Sequence, residues 1–446
     1  FHYLFAKNAL STPSNLLNGW AKPVFTFFAF PFAQFGVQGI HFFNVHCAVI
    51  SSLLCCAVAR NFGLRYAWLS PLLLVLCPVY FILLPTGLTE PFFGLHLVFC
   101  VYLFSSDKPA SAAFFASFLP FSGTDGFWFL PFMIAALLYI KKPGFISLLF
   151  FGTVFYSALG FMFKGNFFFS MENWANTDDP TKSFFHYFGL IELMYGLPLE
   201  IFFLTGIFFL SRFLILKKLK KNKSEQPFSQ NIIASEYILV FGFVFMYFII
   251  RSVTLVTGTF NSIGMDREMA GITPLIILIA LRGLNGAGAV FKEPVMKKVM
   301  LFVIPVFLIG MAFNFYSRRL FVPKTFKGQN KFAQAGAWFR EKELRNKRVW
   351  FGNPAFIFYM GLNPGDKTNA KEILAGEPRG LMKPGEIVVW DSESCAPYQE
   401  FNVKWLQLDP EYILLKSFGN VSLSPDDKSL AIFIFQKRDT TPSQNQ

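Results

Sequence analysis

Glu90 lies in Gly87-Leu88-Thr89-Glu90-Pro91, at the start of a long apolar run. An ionisable group at the edge of hydrocarbon is costly to keep, which makes it a functional candidate. Its carboxylate suits general-base work on a hydroxyl; the plainer reading is an acid at a helix N-terminus, favoured by about 0.3–1 kcal/mol. Lys22, in Trp20-Ala21-Lys22-Pro23, precedes a short apolar segment. Its ammonium would lie at headgroup depth, either holding a lipid phosphate as a point-charge pair or snorkelling as an ordinary lysine. Asp125, in Gly123-Thr124-Asp125-Gly126, is a second candidate acid or a turn residue. Asp266-Arg267-Glu268, together with Arg251, offers cations to a phosphate or a set of internal ion pairs. His2 and His186 can donate to an anion, His96 reads as a packed helix residue, and the histidines form no metal-ligand pattern. The aromatic stretches Asn166–Trp174 and Lys182–Tyr187 either stack against a sugar or belong to an interfacial belt.

The setting of these residues is a membrane. Of 446 residues, 54% are hydrophobic, 15% are charged and 62 are Phe, with the apolar residues gathered into long runs. Soluble domains average about 45–50% apolar and about 25% charged, so a cytosolic enzyme is excluded. There is no Walker loop, dinucleotide fingerprint, nucleophile elbow or HExxH, and ATP-driven transport and soluble-type hydrolysis have no support. Five of the six cysteines fall in apolar runs and Cys395 stands alone in the tail, so no disulfide forms within the tail.

Windows of about 19 apolar residues span about 30 Å of hydrocarbon as helices. About ten occur, at roughly 41–60, 64–85, 87–105, 109–121, 125–140, 144–164, 196–216, 236–256, 269–285 and 299–316. The fourth, fifth and ninth are short and are expected to be tilted, broken or re-entrant. Val24–Phe35, with Pro31 inside it, is too short to span and reads as an interfacial helix.

Lys and Arg set the orientation. If the side holding the run Lys217–Lys223 is cytoplasmic, strict alternation also puts Arg60, Arg65, Lys108, Lys141, Lys142, Arg282, Lys292, Lys297 and Lys298 there. The net charge of +13 then reflects topology, and nucleic acid is not an expected partner. Residues 1–40 and the tail fall on the opposite face. The expected organisation is an external first loop (1–40), a multi-spanning all-α membrane domain (41–316) and a small external α/β domain (317–446). In the tail Lys331–Arg345 reads as an amphipathic helix, and Arg348–Phe351, Phe356–Met360, Glu386–Trp390, Tyr412–Ser417 and Leu430–Gln436 as strand-like stretches. A chain that opens outside the cytoplasm on Phe1, without Met, is expected to lack one upstream span.

The order of these features resembles the C-type glycosyltransferases. It comprises an aromatic-Lys-Pro element in the first loop, a short helix ending in Phe35-Gly36, a span ending in Ala59-Arg60, a Thr-Glu-Pro acid and a carboxy-terminal external domain. Within those transferases the chain is similar to the protein O-mannosyltransferase and lipid A aminoarabinose transferase superfamily and to a bacterial mannosyltransferase-like branch; the resemblance covers roughly 1–316. It implies a bacterial inner-membrane enzyme, of hexosyl or mannosyl type, that moves a sugar from a polyprenyl-phosphate donor to a lipid, glycan or protein hydroxyl on the periplasmic face. It assigns carrier-phosphate binding to Lys22 and Arg267, and a place in the active-site cavity to Glu90. From their own positions and chemistry, Asp125 joins Glu90 as a catalytic candidate, and His2, Arg251 and His186 join the substrate-binding set. The family's principal acid lies early in the first loop, yet no acid occurs from Phe1 up to Glu90. The resemblance implies that this acid stood just before His2-Tyr3. No cofactor is required, and a divalent cation is optional. A secondary transporter is the alternative of another class, opposed by the lack of repeat symmetry and the small number of intramembrane charges. A non-catalytic scaffold with a binding tail is the third.

Overall fold

The computed structural model describes residues 2–167, 183–219, 229–259 and 264–290, scattered positions between 298 and 313, and then 329–342, 344–373, 379–395, 401–419 and 430–438. The basic run from Lys220 to Lys223, Lys292, Lys297, Phe168–Trp174 and Lys182, all named above, lie outside the described residues, as does part of the 299–316 window. The chain divides into two compact units, one of His2 with Leu16–Val322, the other of Tyr3–Asn15 with Pro323–Gln446. The expected first loop is therefore divided between them.

The larger unit is helical. Of α1 (His2–Lys7) it holds only His2; its α2 (Pro23–Ala33) covers the segment expected as a short interfacial helix and starts on a proline, whose missing N–H costs nothing there. A single break at Phe35 leads into α3 (Gly36–Asn61), 26 residues and therefore about 39 Å long. The expected span at 64–85 is instead a chain of short pieces, Ala67–Leu69, Ser70–Val75 and Pro78–Phe81. Pro71, Pro78 and Pro85 each remove a helix donor, which breaks what hydropathy alone reads as continuous. Then come α4 (Glu90–Ser105), α5 (Pro109–Ala116) and α6 (Gly126–Tyr139). A 3-10 stretch at Pro143–Phe150 runs into α7 (Phe151–Lys164), and α8 (Leu197–Leu219) follows. A continuous helical stretch from Gln230 contains a π segment at Ser235–Gly242 and ends as α9 (Phe243–Thr257); a 3-10 segment, Asp266–Ile272, opens α10 (Thr273–Val290).

Four helical stretches among the described residues are long and apolar enough to cross a membrane: Gly36–Asn61, Pro143–Phe163, Gln230–Thr257 and Asp266–Gly288. Shorter apolar helices at Pro23–Ala33, Glu90–Ser105 and Gly126–Tyr139 accompany them. The chain is an integral membrane protein. Leu275, Ile276, Ile279 and Leu281 of α10 and Leu97, Val101 and Phe104 of α4 are buried in one continuous core, whereas Val154, Phe161 and Met162 of α7 are exposed. Outward-facing apolar side chains of that kind are what a bilayer accepts as solvent.

The smaller unit is a five-stranded sheet in the order β2-β1-β3-β5-β4, with β1 (Val349–Phe351), β2 (Ala370–Glu372), β3 (Ile387–Asp391), β4 (Tyr412–Phe418) and β5 (Ile432–Lys437). β1 is parallel to β2 and β3, and β5 is antiparallel to β3 and β4. Successive side chains alternate between faces: Ile387 and Val389 pack with Phe339 and Phe356, while Val388 and Trp390 pack with Leu406 and Phe433. Helices α11 (Gln329–Glu341), α12 (Pro354–Met360) and α13 (Val403–Leu408) complete the unit. The strand expected at Phe356–Met360 is a helix, because Pro354 opens its first turn and the Asn353 side chain accepts from the Ala355 N–H.

Candidate functional site

Within the larger unit five helical elements bring charged side chains to one region. The loop before α2 brings Lys22, whose backbone sits at φ 64°, in the left-handed region. A lysine pays about 1–3 kcal/mol there, and such strain is concentrated at functional positions. Its Nζ donates to the Gly19 carbonyl at 3.3 Å. Burial brings the ammonium down to about 8; the nearby Asp125 and Glu90 carboxylates oppose that fall and Arg251 adds to it. His2 stacks on Trp20 at 4.7 Å between ring centroids, and its Nδ1 lies 3.3 Å from the Ala21 carbonyl, so it backs the Lys22 loop. Burial lowers the imidazole to about 3, and the charges of Lys22 and Arg267 push the same way, which keeps it neutral at pH 7.

Glu90 is the first residue of α4, followed by Pro91. Asn44, in the middle of α3, fixes the turn ahead of it by donating to the Thr86 carbonyl at 2.7 Å and to that of Leu88 at 3.2 Å. One Glu90 oxygen, Oε1, lies 3.9 Å from Nε of Arg267. The other, Oε2, is buried and has no hydrogen-bond partner among the described residues. Arg267 belongs to the 3-10 segment that opens α10, and the two elements approach closely: a Cβ on Gly271 would lie 2.6 Å from the Phe93 ring, and one on Gly94 would lie 3.0 Å from the Gly271 carbonyl oxygen. Glycine at both positions is what brings the Arg267 segment onto the start of α4.

Asp125 immediately precedes α6, and its Oδ2 accepts from Arg251 Nη2 at 2.8 Å and from the Tyr247 hydroxyl at 2.7 Å. Arg251 Nη1 lies 3.6 Å from Glu268, whose carboxylate also accepts from the Tyr187 hydroxyl. Tyr247 and Arg251 stand one turn apart on α9, so both reach the same partners. Side chains of Arg251, Asp125 and Glu268 retain only 10%, 17% and 13% of their exposure. Between the two readings left open for Arg251, internal pairing is the one its geometry fits. His186 lies beside this network, with Nε2 2.9 Å from the Gly264 carbonyl, where it ties its own short helix to the turn before Asp266. His96 is a packed helix residue, with Nδ1 2.7 Å from the Ser122 hydroxyl and Nε2 3.0 Å from the Phe115 carbonyl.

The two candidate acids are thus in different circumstances. Asp125 is committed to Arg251 and Tyr247, whereas Glu90 keeps one oxygen without a partner among the described residues and faces Arg267, which is 41% exposed. Tyr247 and Asn44 were not legible as site residues; their only signals are a tyrosine one turn before an arginine, and a lone amide within an apolar run.

No protein-family model and no curated protein matches the sequence. Among solved structures, the chain is similar to ArnT from Cupriavidus metallidurans bound to undecaprenyl phosphate, with a TM-score of 0.59 and 11% identity over 93% of this chain and 87% of that one. The fold of this chain is therefore similar to that of ArnT, in keeping with the fold that the resemblance implied.

Proposed function

We propose that the protein is a glycosyltransferase that moves a sugar from a polyprenyl-phosphate donor to an acceptor hydroxyl at the membrane surface. The observation that carries this reading is the pairing of a half-free carboxylate, Glu90, with the cations Arg267 and Lys22, on the fold of a protein solved with undecaprenyl phosphate. The donor phosphate lies between Arg267 and Lys22. Glu90 Oε2 accepts the proton of the acceptor hydroxyl as its oxygen attacks the anomeric carbon. The bond from that carbon to the phosphate oxygen breaks, its electron pair leaves with polyprenyl phosphate, and the two cations stabilise the departing charge. The network of Asp125, Arg251, Glu268 and Tyr247 holds the Arg267 segment and the start of α6 in place, a positioning role.

The positive charge this scheme needs comes from side chains, so turnover proceeds with a chelator present. Hexosyl or mannosyl transfer is the finer form of the proposal, as are an inner-membrane location, a periplasmic site face and a count of about ten spans. The direct test supplies the purified chain, in lipid nanodiscs, with radiolabelled polyprenyl-phosphate sugars of hexosyl and aminopentosyl type. Release of polyprenyl phosphate that falls in Glu90→Gln supports the reading. Full turnover in Glu90→Gln, or solute uptake by reconstituted vesicles without sugar transfer, would remove it.

A further inference from the structure

We propose a second site in the same unit, at the opposite end of the helices that carry the first, which binds the phosphate of an anionic headgroup. A cavity of about 420 Å³ lies there, with Lys108, Lys142, Ser111 and Asn231 on its polar side and Ile140 and Phe145 as its apolar wall. Its place follows from chain direction. Glu90 begins α4 and Lys108 follows its end, 16 helical residues or about 24 Å away. Asp125 precedes α6, and Ile140 and Lys142 follow it. Asn231 stands at the start of the helical stretch that carries Arg251 near its other end. Three elements therefore each bear a residue of the first site at one end and of the cavity at the other, and the two sites are separate.

The charge of the cavity is unbalanced. Asp107 is the acid on its rim, and its Oδ1 accepts from the Asn231 amide at 2.7 Å. Among the described residues no acid forms an ion pair with Lys108 or Lys142, so two lysines line the cavity against the single carboxylate of Asp107 and leave it one positive charge in excess. A phosphate balances that excess, and its oxygens can also accept from Ser111 and Gln230. Two turns that frame the cavity are held in the left-handed region, with φ 58° at both Asp107 and Lys141, a strained backbone that places the adjoining lysines at the rim. The apolar wall favours a phosphate joined to glycerol and acyl chains over a fully hydrated anion. On the topology read from the basic loops, this end faces the cytoplasm, where anionic lipids are enriched.

The test uses the full chain purified in detergent and titrated with mixed micelles of phosphatidylcholine containing phosphatidic acid, with bound lipid read by native mass spectrometry. The Lys108→Gln/Lys142→Gln double variant is expected to bind phosphatidic acid roughly tenfold or more weakly than the wild type. Lys108→Arg/Lys142→Arg is expected to retain it. Arg60→Gln, which removes a charge from the end of α3 outside the cavity, is expected to leave binding unchanged. Equal binding by the neutral double variant, or an equal loss in Arg60→Gln, would overturn the site. Should the neutral pair fail to fold, Lys142→Gln alone takes its place, with a loss of about threefold or more expected and no loss overturning the site. Inorganic phosphate in a parallel titration separates the sources: displacement of the lipid marks a pocket for phosphate alone, and retention of the lipid marks one for the whole headgroup.

Discussion

Glu90 and Asp125 show how environment separates two acids that look alike in sequence. Asp125 is held by an arginine and a tyrosine, while Glu90 Oε2 is buried without a partner among the described residues. Glu90→Gln keeps the shape and removes the base, so kcat is expected to fall about 10²–10⁴-fold with little change in donor affinity, which single-turnover kinetics with labelled donor separates. Lys22 carries a pH dependence. Its folded-state value of about 8 lies below the ordinary 10.5, so the folded protein releases this proton first. Donor binding that relies on the ammonium weakens as pH rises through about 8, and Lys22→Arg moves that decline upward. The same shift makes the Lys22 contribution to stability improve over that rise, because a costly buried charge is lost. A binding curve that is flat across pH 7–9 would remove Lys22 from the phosphate site.

At the scale of elements, the site depends on two meetings of helices. In one, Gly94 and Gly271 allow the segment bearing Arg267 to touch the start of α4. Gly271→Ala drives a methyl into the buried Phe93 ring, and the expected cost is about 1–3 kcal/mol of stability together with reduced turnover, read by thermal unfolding and the transfer assay. In the other, Arg251 on α9 joins Asp125 ahead of α6 to Glu268 ahead of α10. Arg251→Met leaves two carboxylates without compensation, and about 3–5 kcal/mol is expected to be lost. Arg251→Lys keeps the charge but cannot reach both acids at once, and restores only part of the loss.

For the whole molecule, the arrangement of helix ends makes a prediction about sidedness. Thr124, exposed beside Asp125, and Lys108, exposed at the far cavity, stand at opposite ends of the α4–α6 region. In sealed vesicles, Thr124→Cys and Lys108→Cys are expected to react with a membrane-impermeant maleimide from opposite sides, against a low background because Cys47, Cys55, Cys77, Cys100 and Cys395 are buried. Labelling from the same side would overturn the orientation read from the basic loops. The smaller unit brings its own pH response: burial raises the Asp391 carboxyl to about 6. The folded unit therefore binds this proton more tightly than the unfolded chain, and its stability is expected to fall as pH rises from about 4 to 6, which hydrogen exchange in β3 would report.

The sequence alone determined the class of this protein and the chemistry on offer. Apolar runs can only be solvated by lipid, Lys and Arg are concentrated in alternate loops between them, and Glu90, Lys22 and Arg267 stand where a carboxylate and two cations are expensive to keep. It also carried enough order in its features to imply the fold. It did not reveal that 64–85 is broken, because hydropathy sums over prolines that geometry does not forgive, nor that Phe356–Met360 is a helix, because a cap and a proline outweigh β propensity in a short run. Only the tertiary structure decided which acid is spent on an ion pair and which keeps an oxygen free. That outcome depends on Tyr247, Arg251 and Asn44 arriving from other helices, and contacts between residues 42 to 126 positions apart leave no local pattern to read.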